Sequence, residues 1–172
     1  MVINMKKILA VFVFLVLLVG CSLANTPTSK VEELLTKYQT LDKDIKTGID
    51  EVIDEEVLTS KQKDRYRSLI EKQYKGLTYQ VKNERIDGDR ATITTEIEVL
   101  DYKKAVNDAV SKYQNRTDYT VEEYNNSKLD ALEKTKDKVK YTIDFEVIKD
   151  KNGNWKLSSL SNETIKKIQG MY

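Results

Sequence analysis

The chain of 172 residues has no histidine. That removes the commonest general base near neutral pH and the commonest zinc ligand. It has one cysteine, Cys21, so no disulfide can form within the chain. It has one proline, Pro27, which falls between the leading segment and the first periodic segment. Neither sign of charge is in real surplus: 29 Lys and Arg stand against 28 Asp and Glu. Proteins that bind nucleic acid draw affinity from neutralising phosphates, so this balance argues against such a partner. The apolar run from Ile8 to Val19 is shorter than the roughly 20 residues a bilayer-spanning helix needs.

What is present begins with that run. Lys6 and Lys7 precede it and small residues follow it, which is the order of a secretory signal. Leu18-Val19-Gly20-Cys21 resembles a bacterial lipobox, in which the thiol is acylated and the chain is cut just before it. A thiolate is the natural nucleophile for accepting a diacylglyceryl group. One acyl chain anchors weakly, at about 0.8 kcal/mol per buried CH₂, whereas two or three hold firmly. An acylated Cys21 offers no thiol to a redox centre or a metal. The expected division is a signal peptide over 1–20, a tether over 21–28 and a single domain over 29–172. Without Lys6 and Lys7 the basic side chains number one fewer than the 28 acidic ones.

Ser29 and Glu32 read as a capping box opening a helix. Val31, Leu34, Leu35, Tyr38, Leu41 and Ile45 then recur at helical spacing, with Gly48 a possible interruption before Ile49, Val52, Ile53 and Val57. Thr59 and Gln62 make a second box. The helix behind it carries Tyr66, Leu69, Ile70 and Tyr74 and ends at Gly76, a natural residue just past a helix end. The period then changes to two. Leu77, Tyr79 and Val81 alternate with polar residues, Asp87-Gly88-Asp89 signals a turn, and Ala91 to Val99 alternates again. Tyr102 to Tyr113 returns to helix. Thr120 and Glu123 cap a charged helix reaching Lys138. A second hairpin spans Val139 to Val147 and Trp155 to Leu157, with Asp150 to Asn154 as its turn. A short helix from Ser161 or Asn162 closes the chain. The expected fold is α+β: an antiparallel sheet of two hairpins with helices on one face.

The stretches Leu77 to Tyr102 and Tyr141 to Tyr172 carry a resemblance. They are similar to small lipoproteins of Gram-positive bacteria with NTF2-like or cystatin-like domains. The shared features are a first helix opening in Thr-Pro (Thr26-Pro27), a hairpin at Ile86 to Asp89 and a Gly-x-Trp-Lys strand at Gly153 to Lys156. The resemblance implies a fold and an address, the outer face of the cell membrane, rather than a reaction. NTF2-like enzymes usually place an acid or a histidine in a conical pocket, and this chain has no histidine.

No catalytic group and no cofactor or metal site stands out. Glu96, Glu98, Asp144 and Glu146 share the polar faces of strands, with Lys140 and Lys156 as potential cross-strand partners. They read as a solvated face, since an acid/base pair needs one desolvated carboxyl. Asp150, Asn152 and Asn154 resemble the start of a calcium loop, but Gly153 and Ser161 fall where the pattern needs other residues. Tyr79, Tyr141 and Trp155 lie on apolar strand faces, either as core aromatics or around an amphipathic pocket. Tyr102, Tyr113, Tyr119 and Tyr124 gather in the segment between the hairpins, which looks like an insertion in excess of what covers the sheet. Tyr119, Tyr124, Tyr141 and Trp155 are thus the candidate binding residues, because tyrosine is enriched at interfaces.

The expected function is a non-catalytic, lipid-anchored binding module of the envelope, with an envelope or secreted protein as partner. A small-ligand carrier with an apolar cleft between sheet and helices, or an NTF2-like enzyme using a Tyr-Asp pair, are the alternatives. A filled core with an exposed tyrosine-rich helix favours the first, an apolar cavity the second, and a deep pocket with a buried carboxylate the third. Cys21→Ala should abolish acylation and processing at this site. Mass spectrometry of the mature wild-type chain checks the premise: an N-terminus elsewhere, or an unmodified Cys21, refutes it.

Overall fold

A computed structural model describes residues 25–172. The expected signal peptide, Cys21 and the start of the tether lie outside the described residues. The elements in order are α1 (Pro27–Thr40), α2 (Lys43–Glu55), α3 (Ser60–Lys75), β1 (Thr78–Asp87), β2 (Arg90–Leu100), α4 (Tyr102–Ser111), α5 (Val121–Lys134), β3 (Lys138–Lys149), β4 (Trp155–Leu157) and α6 (Asn162–Ile168). Among the described residues no helix is long and apolar enough to cross a membrane.

The helical layer starts three residues earlier than the Ser29-Glu32 spacing suggests. Thr26 is the N-cap, Pro27 occupies the first turn and Ser29 is the third helical residue. Thr26 Oγ1 accepts from Ser29 N at 3.1 Å, and Ser29 Oγ accepts from Thr26 N at 3.1 Å. Proline is pre-shaped for this position because its φ is already helical and its missing N–H would have had no partner. The expected continuous helix to Ile45 also breaks. Leu41 turns left-handed at φ 51°, its neighbour Asp42 donates its N–H back to Lys37 O, and the Asp42 carboxylate caps α2 through Asp44 N and Ile45 N. Gly48, the expected interruption, sits inside α2 instead. The boxes at Thr59 with Gln62 and at Thr120 with Glu123 form as read. Gly76 closes α3 with a right-handed φ of −87°, so no left-handed turn is made there.

The strands form one antiparallel sheet in the order β1-β2-β3-β4. Its inner face presents Ala91, Ile93, Ile97 and Val99 from β2 and Ile143, Phe145 and Val147 from β3, all buried. Val31, Leu35, Ile49, Ile53 and Ile70 from α1–α3 close over them. Gly88 holds the β1–β2 turn at φ 59°. The alternation of β1 does not run through. A bulge at Lys82 shifts the register, so that Val81 faces Thr95 but Glu84 faces Ile93. The bulge brings Glu84 to the first turn of α1, where its carboxylate accepts from Thr28 N and Oγ1. A carboxylate there also meets the positive end of the helix dipole. Thr95 is fully buried on the inner face, and its hydroxyl lacks a hydrogen-bond partner.

The segment between β2 and β3 is not an excess. Its two helices form a hairpin that packs on α3 and builds a second core from Leu69, Tyr102, Ala105, Leu129 and Leu132. Tyr102, grouped by sequence with the interface tyrosines, is 3 % exposed. It donates its hydroxyl to Leu69 O at 3.0 Å. Arg65 of α3 reaches Asp130 and Glu133 of α5 at 2.5 and 2.9 Å. Gln62, 2 % exposed, donates to Glu122 O and Asn126 Oδ1.

Gln73 joins the two cores to the C-terminal segment. Its side chain is 2 % exposed. Nε2 donates to Leu100 O and to Gln169 O, both at 2.9 Å, and Oε1 accepts from Leu100 N at 3.0 Å. The approach is so close that a Cβ on Gly170 (φ 69°) would overlap Leu100 O and Gln73 Nε2. Gln73→Met keeps the volume and strips these bonds, leaving buried backbone groups unpaired at a cost of about 1–3 kcal/mol each. Denaturant unfolding should register a loss of at least about 2 kcal/mol. A loss within experimental error would show the amide to be incidental.

Candidate functional site

A cleft of about 180 Å³ opens where α3, α4, α5 and the C-terminal segment meet. Helical spacing puts Tyr66, Ile70, Gln73 and Tyr74 on one side of α3, and Asn125, Leu129 and Leu132 on the facing side of α5. Tyr102 and Val106 of α4 and Met171 complete the lining, with Glu56 and Lys128 as its charged members. The polar groups inside are already engaged. Gln73 holds Leu100 and Gln169, Asn125 donates to Val57 O at 3.3 Å, Gln169 donates to Tyr74 Oη, and Tyr102 donates to Leu69 O. Among the described residues the Tyr66 hydroxyl has no such partner, and neither do the two charged side chains of the lining, Glu56 and Lys128. Burial pushes the Tyr66 phenol up, helped by the negative charge of Glu56. What remains is apolar surface with one phenol as a handle.

The size of the cleft decides what fits. An apolar cavity of about 150 Å³ takes a benzene ring, whereas drug-sized ligands occupy about 300–1,000 Å³. One ring or one branched aliphatic side chain matches this cleft; a nucleotide or flavin does not. The expectation placed an apolar cleft between sheet and helices. That space is filled by Ile93, Ile97, Phe145 and Val147, and the opening lies among helices instead.

The four candidate binding residues fall in three places. Tyr119 and Tyr124 come together with Tyr113. Ring centroids are 4.7 Å apart for Tyr113–Tyr119, 5.3 Å for Tyr113–Tyr124 and 5.9 Å for Tyr119–Tyr124. Tyr119 is exposed, Tyr113 and Tyr124 half-buried, and Arg116 lies over the Tyr113 ring. Lys128 Nζ lies 4.7 Å above the Tyr124 ring and also lines the cleft, so the tyrosine patch and the cleft adjoin. Tyr141 stands elsewhere on β3, with its hydroxyl donated to Tyr172 O at 3.1 Å. Trp155 is buried in the main core under Lys149. Cys21 lies outside the described residues.

The strand carboxylates are separate again. Glu96 lies 3.0 Å from Lys140 and 3.5 Å from Lys82, Glu98 lies 2.8 Å from Lys138, and Asp144 accepts from Thr94 Oγ1 at 2.6 Å. The bonded lysines hold Glu96 and Glu98 below the usual carboxylate range. Lys156 turns to Asp150 instead, at 3.0 Å. The Asp150 carboxylate also accepts from Asn152 N and Asn154 N, which is the bonding of a turn. Among the described residues no group of three or more acidic or thiol side chains is placed to hold a metal ion.

No family description, curated protein or solved structure matches the chain.

Sequence reasoning placed Tyr66 on a helix face and Tyr102 among the tyrosines between the hairpins, but not their meeting. The lining comes from five stretches between Glu56 and Met171, and no local pattern links them. Burial is the dominant cause that pushes Tyr38 and Tyr102 up to about 12. A tyrosine whose pKa is higher folded than unfolded favours folding while both states keep the proton. That contribution is complete below the ordinary value of 10.0 and is lost as pH rises toward about 12. Unfolding free energy should therefore hold to about pH 10 and then fall. Tyr102→Phe should lessen the fall, as denaturant titrations at stepped alkaline pH would record.

Proposed function

We propose that this chain is a lipid-anchored, non-catalytic binding module of the cell envelope. Its cleft between α3, α4 and α5 receives one apolar side chain of a protein partner. The observation that carries the reading is the cleft itself: apolar, about 180 Å³, with its internal polar groups engaged and the Tyr66 hydroxyl left to bind a guest carbonyl. Fully desolvated pockets that take one large side chain are where interface energy concentrates. The adjoining Tyr119, Tyr124 and Lys128 extend the contact surface, together with Val57 and Val121, which are 86 % and 69 % exposed. Tyrosine adds contact area there with few rotatable bonds.

The anchor is a lipid on Cys21, supported by the charged start, the apolar run and the lipobox-like residues before it. An NTF2-like or cystatin-like domain is the finer reading of the fold, supported by α1–α3 preceding and covering an antiparallel sheet. An enzyme using a Tyr-Asp pair has less support. No aspartate lines the cleft, and its one carboxylate, Glu56, is exposed. A small-ligand carrier is the second reading, favoured by the same apolar lining.

Val106 is half-buried in the lining, and Val106→Trp should fill the cleft with little change in the thermal transition. A photo-crosslinker at position 128 of the acylated protein in its native membrane should yield a discrete adduct that Val106→Trp removes. An adduct indifferent to the substitution, or none, counts against a protein partner. A small molecule retained by the purified wild type in native mass spectrometry, and displaced by Val106→Trp, favours the carrier.

A further inference from the structure

The start of the described chain is fastened to one end of the sheet. Asn25 Nδ2 donates to Asn154 Oδ1 at 3.0 Å, and Asn25 Oδ1 accepts from Trp155 N at 2.9 Å. Both partners belong to the β3–β4 turn and its exit. That turn lies at the Arg90 end of β2, where Lys149 N donates to Asp89 O at 2.9 Å. The cleft lies at the other end, because Gln73 and Gln169 of its lining are bonded at Leu100. The ten residue steps from Arg90 to Leu100 span about 33 Å at about 3.3 Å each.

A groove beside Asn25 runs between α1 and β4, lined by Lys30, Leu34, Lys37, Lys156 and Leu157 among others. Lys151 is exposed in the adjoining turn. Glu33 pairs with Lys30 and Lys37 at 3.4 and 3.7 Å, and Asp150 pairs with Lys156. Four lysines therefore face two carboxylates, a local positive surplus on a chain that is close to neutral overall. At the neighbouring hairpin tip, Asp87 and Asp89 offset Arg90 and Lys149.

We propose that this end, the β3–β4 turn with the Lys30–Lys37–Lys156 groove, rests on an anionic lipid surface and holds the cleft away from it. The proposal rests on the acylation of Cys21 put forward above. Four residue steps separate Cys21 from Asn25, at most about 14 Å of chain. A lipid on Cys21 thus brings the bilayer to the turn end and not to the Leu100 end. A basic patch is the common second signal beside a lipid chain, and it acts only within about a Debye length of the headgroups.

The full chain, processed in a bacterial host and checked by mass spectrometry for acylation, is reconstituted into vesicles of phosphatidylglycerol and phosphatidylcholine. A fluorophore is attached through Lys151→Cys or, in a separate protein, through Lys136→Cys. Lys136 is exposed just before β3, at the Leu100 end of β2. A quencher carried on lipid headgroups should dim the label at position 151 several-fold more than the label at 136. Exchanging Lys30, Lys37 and Lys156 for glutamine, or using phosphatidylcholine alone, should shrink that difference. Equal quenching, or stronger quenching at 136, on an acylated protein overturns this proposal and leaves the anchor standing. A difference indifferent to both the lysines and the lipid charge overturns the anionic surface as the partner. An unmodified Cys21 overturns the anchor and the proposal together.

Discussion

The buried amide of Gln73 is the joint on which the rest of the molecule depends. Leu100 N and O at the end of β2 and Gln169 O in the C-terminal segment are three backbone groups in need of partners. Gln73 answers the three with one side chain, using both N–H groups and its carbonyl. Once Leu100 and Gln169 are fixed to α3, α4 must start against α3, and Met171 must stand beside it. The second core and the cleft follow from that placement. The glycine at position 170 belongs to the same joint, because only a residue without Cβ lets the terminus come this near.

The two sides of the sheet do different work. The inner side is packed with branched and aromatic residues and leaves little room for a guest. The outer side carries carboxylates matched by lysines on the neighbouring strand, Glu96 with Lys140 and Glu98 with Lys138. Such exposed pairs contribute little to stability, and their carboxyls, held ionised, are poor proton donors. The chemistry a solvated, lysine-paired face offers is solubility. Apolar surface open to solvent lies instead on the helical side, in the cleft between α3, α4 and α5.

What could be read from sequence was whatever is local. The boxes at Thr59 and Thr120 need only two residues three apart, and the alternation in β2 and β3 continues to their turns. The sheet class, the helical covering and the hairpin at Gly88 follow from these periods. Other features depend on partners far along the chain. Leu41 adopts a left-handed φ although its residue type disfavours that by about 1–2 kcal/mol. The reason is the chain reversal between α1 and α2, not the leucine itself. The bulge at Lys82 leaves the composition of β1 unchanged and alters which residues face inward. Tyr102 looked like its tyrosine neighbours until α3 supplied an acceptor for its hydroxyl. The cleft was least legible of all, because Tyr66, Tyr102, Leu129 and Met171 share no spacing.

The bulge in β1 has a bearing on self-association. β1 is an outer strand, and a long flat outer strand offers its free N–H and C=O groups as a template for a second copy. The extra residue at Lys82 breaks the regular spacing of those groups midway along the strand. Lys82, Glu84, Arg85 and Asp87 place charge on the remainder, which any incoming strand would have to desolvate. The strand that bends to deliver Glu84 to α1 is, by the same bend, guarded against edge-to-edge aggregation.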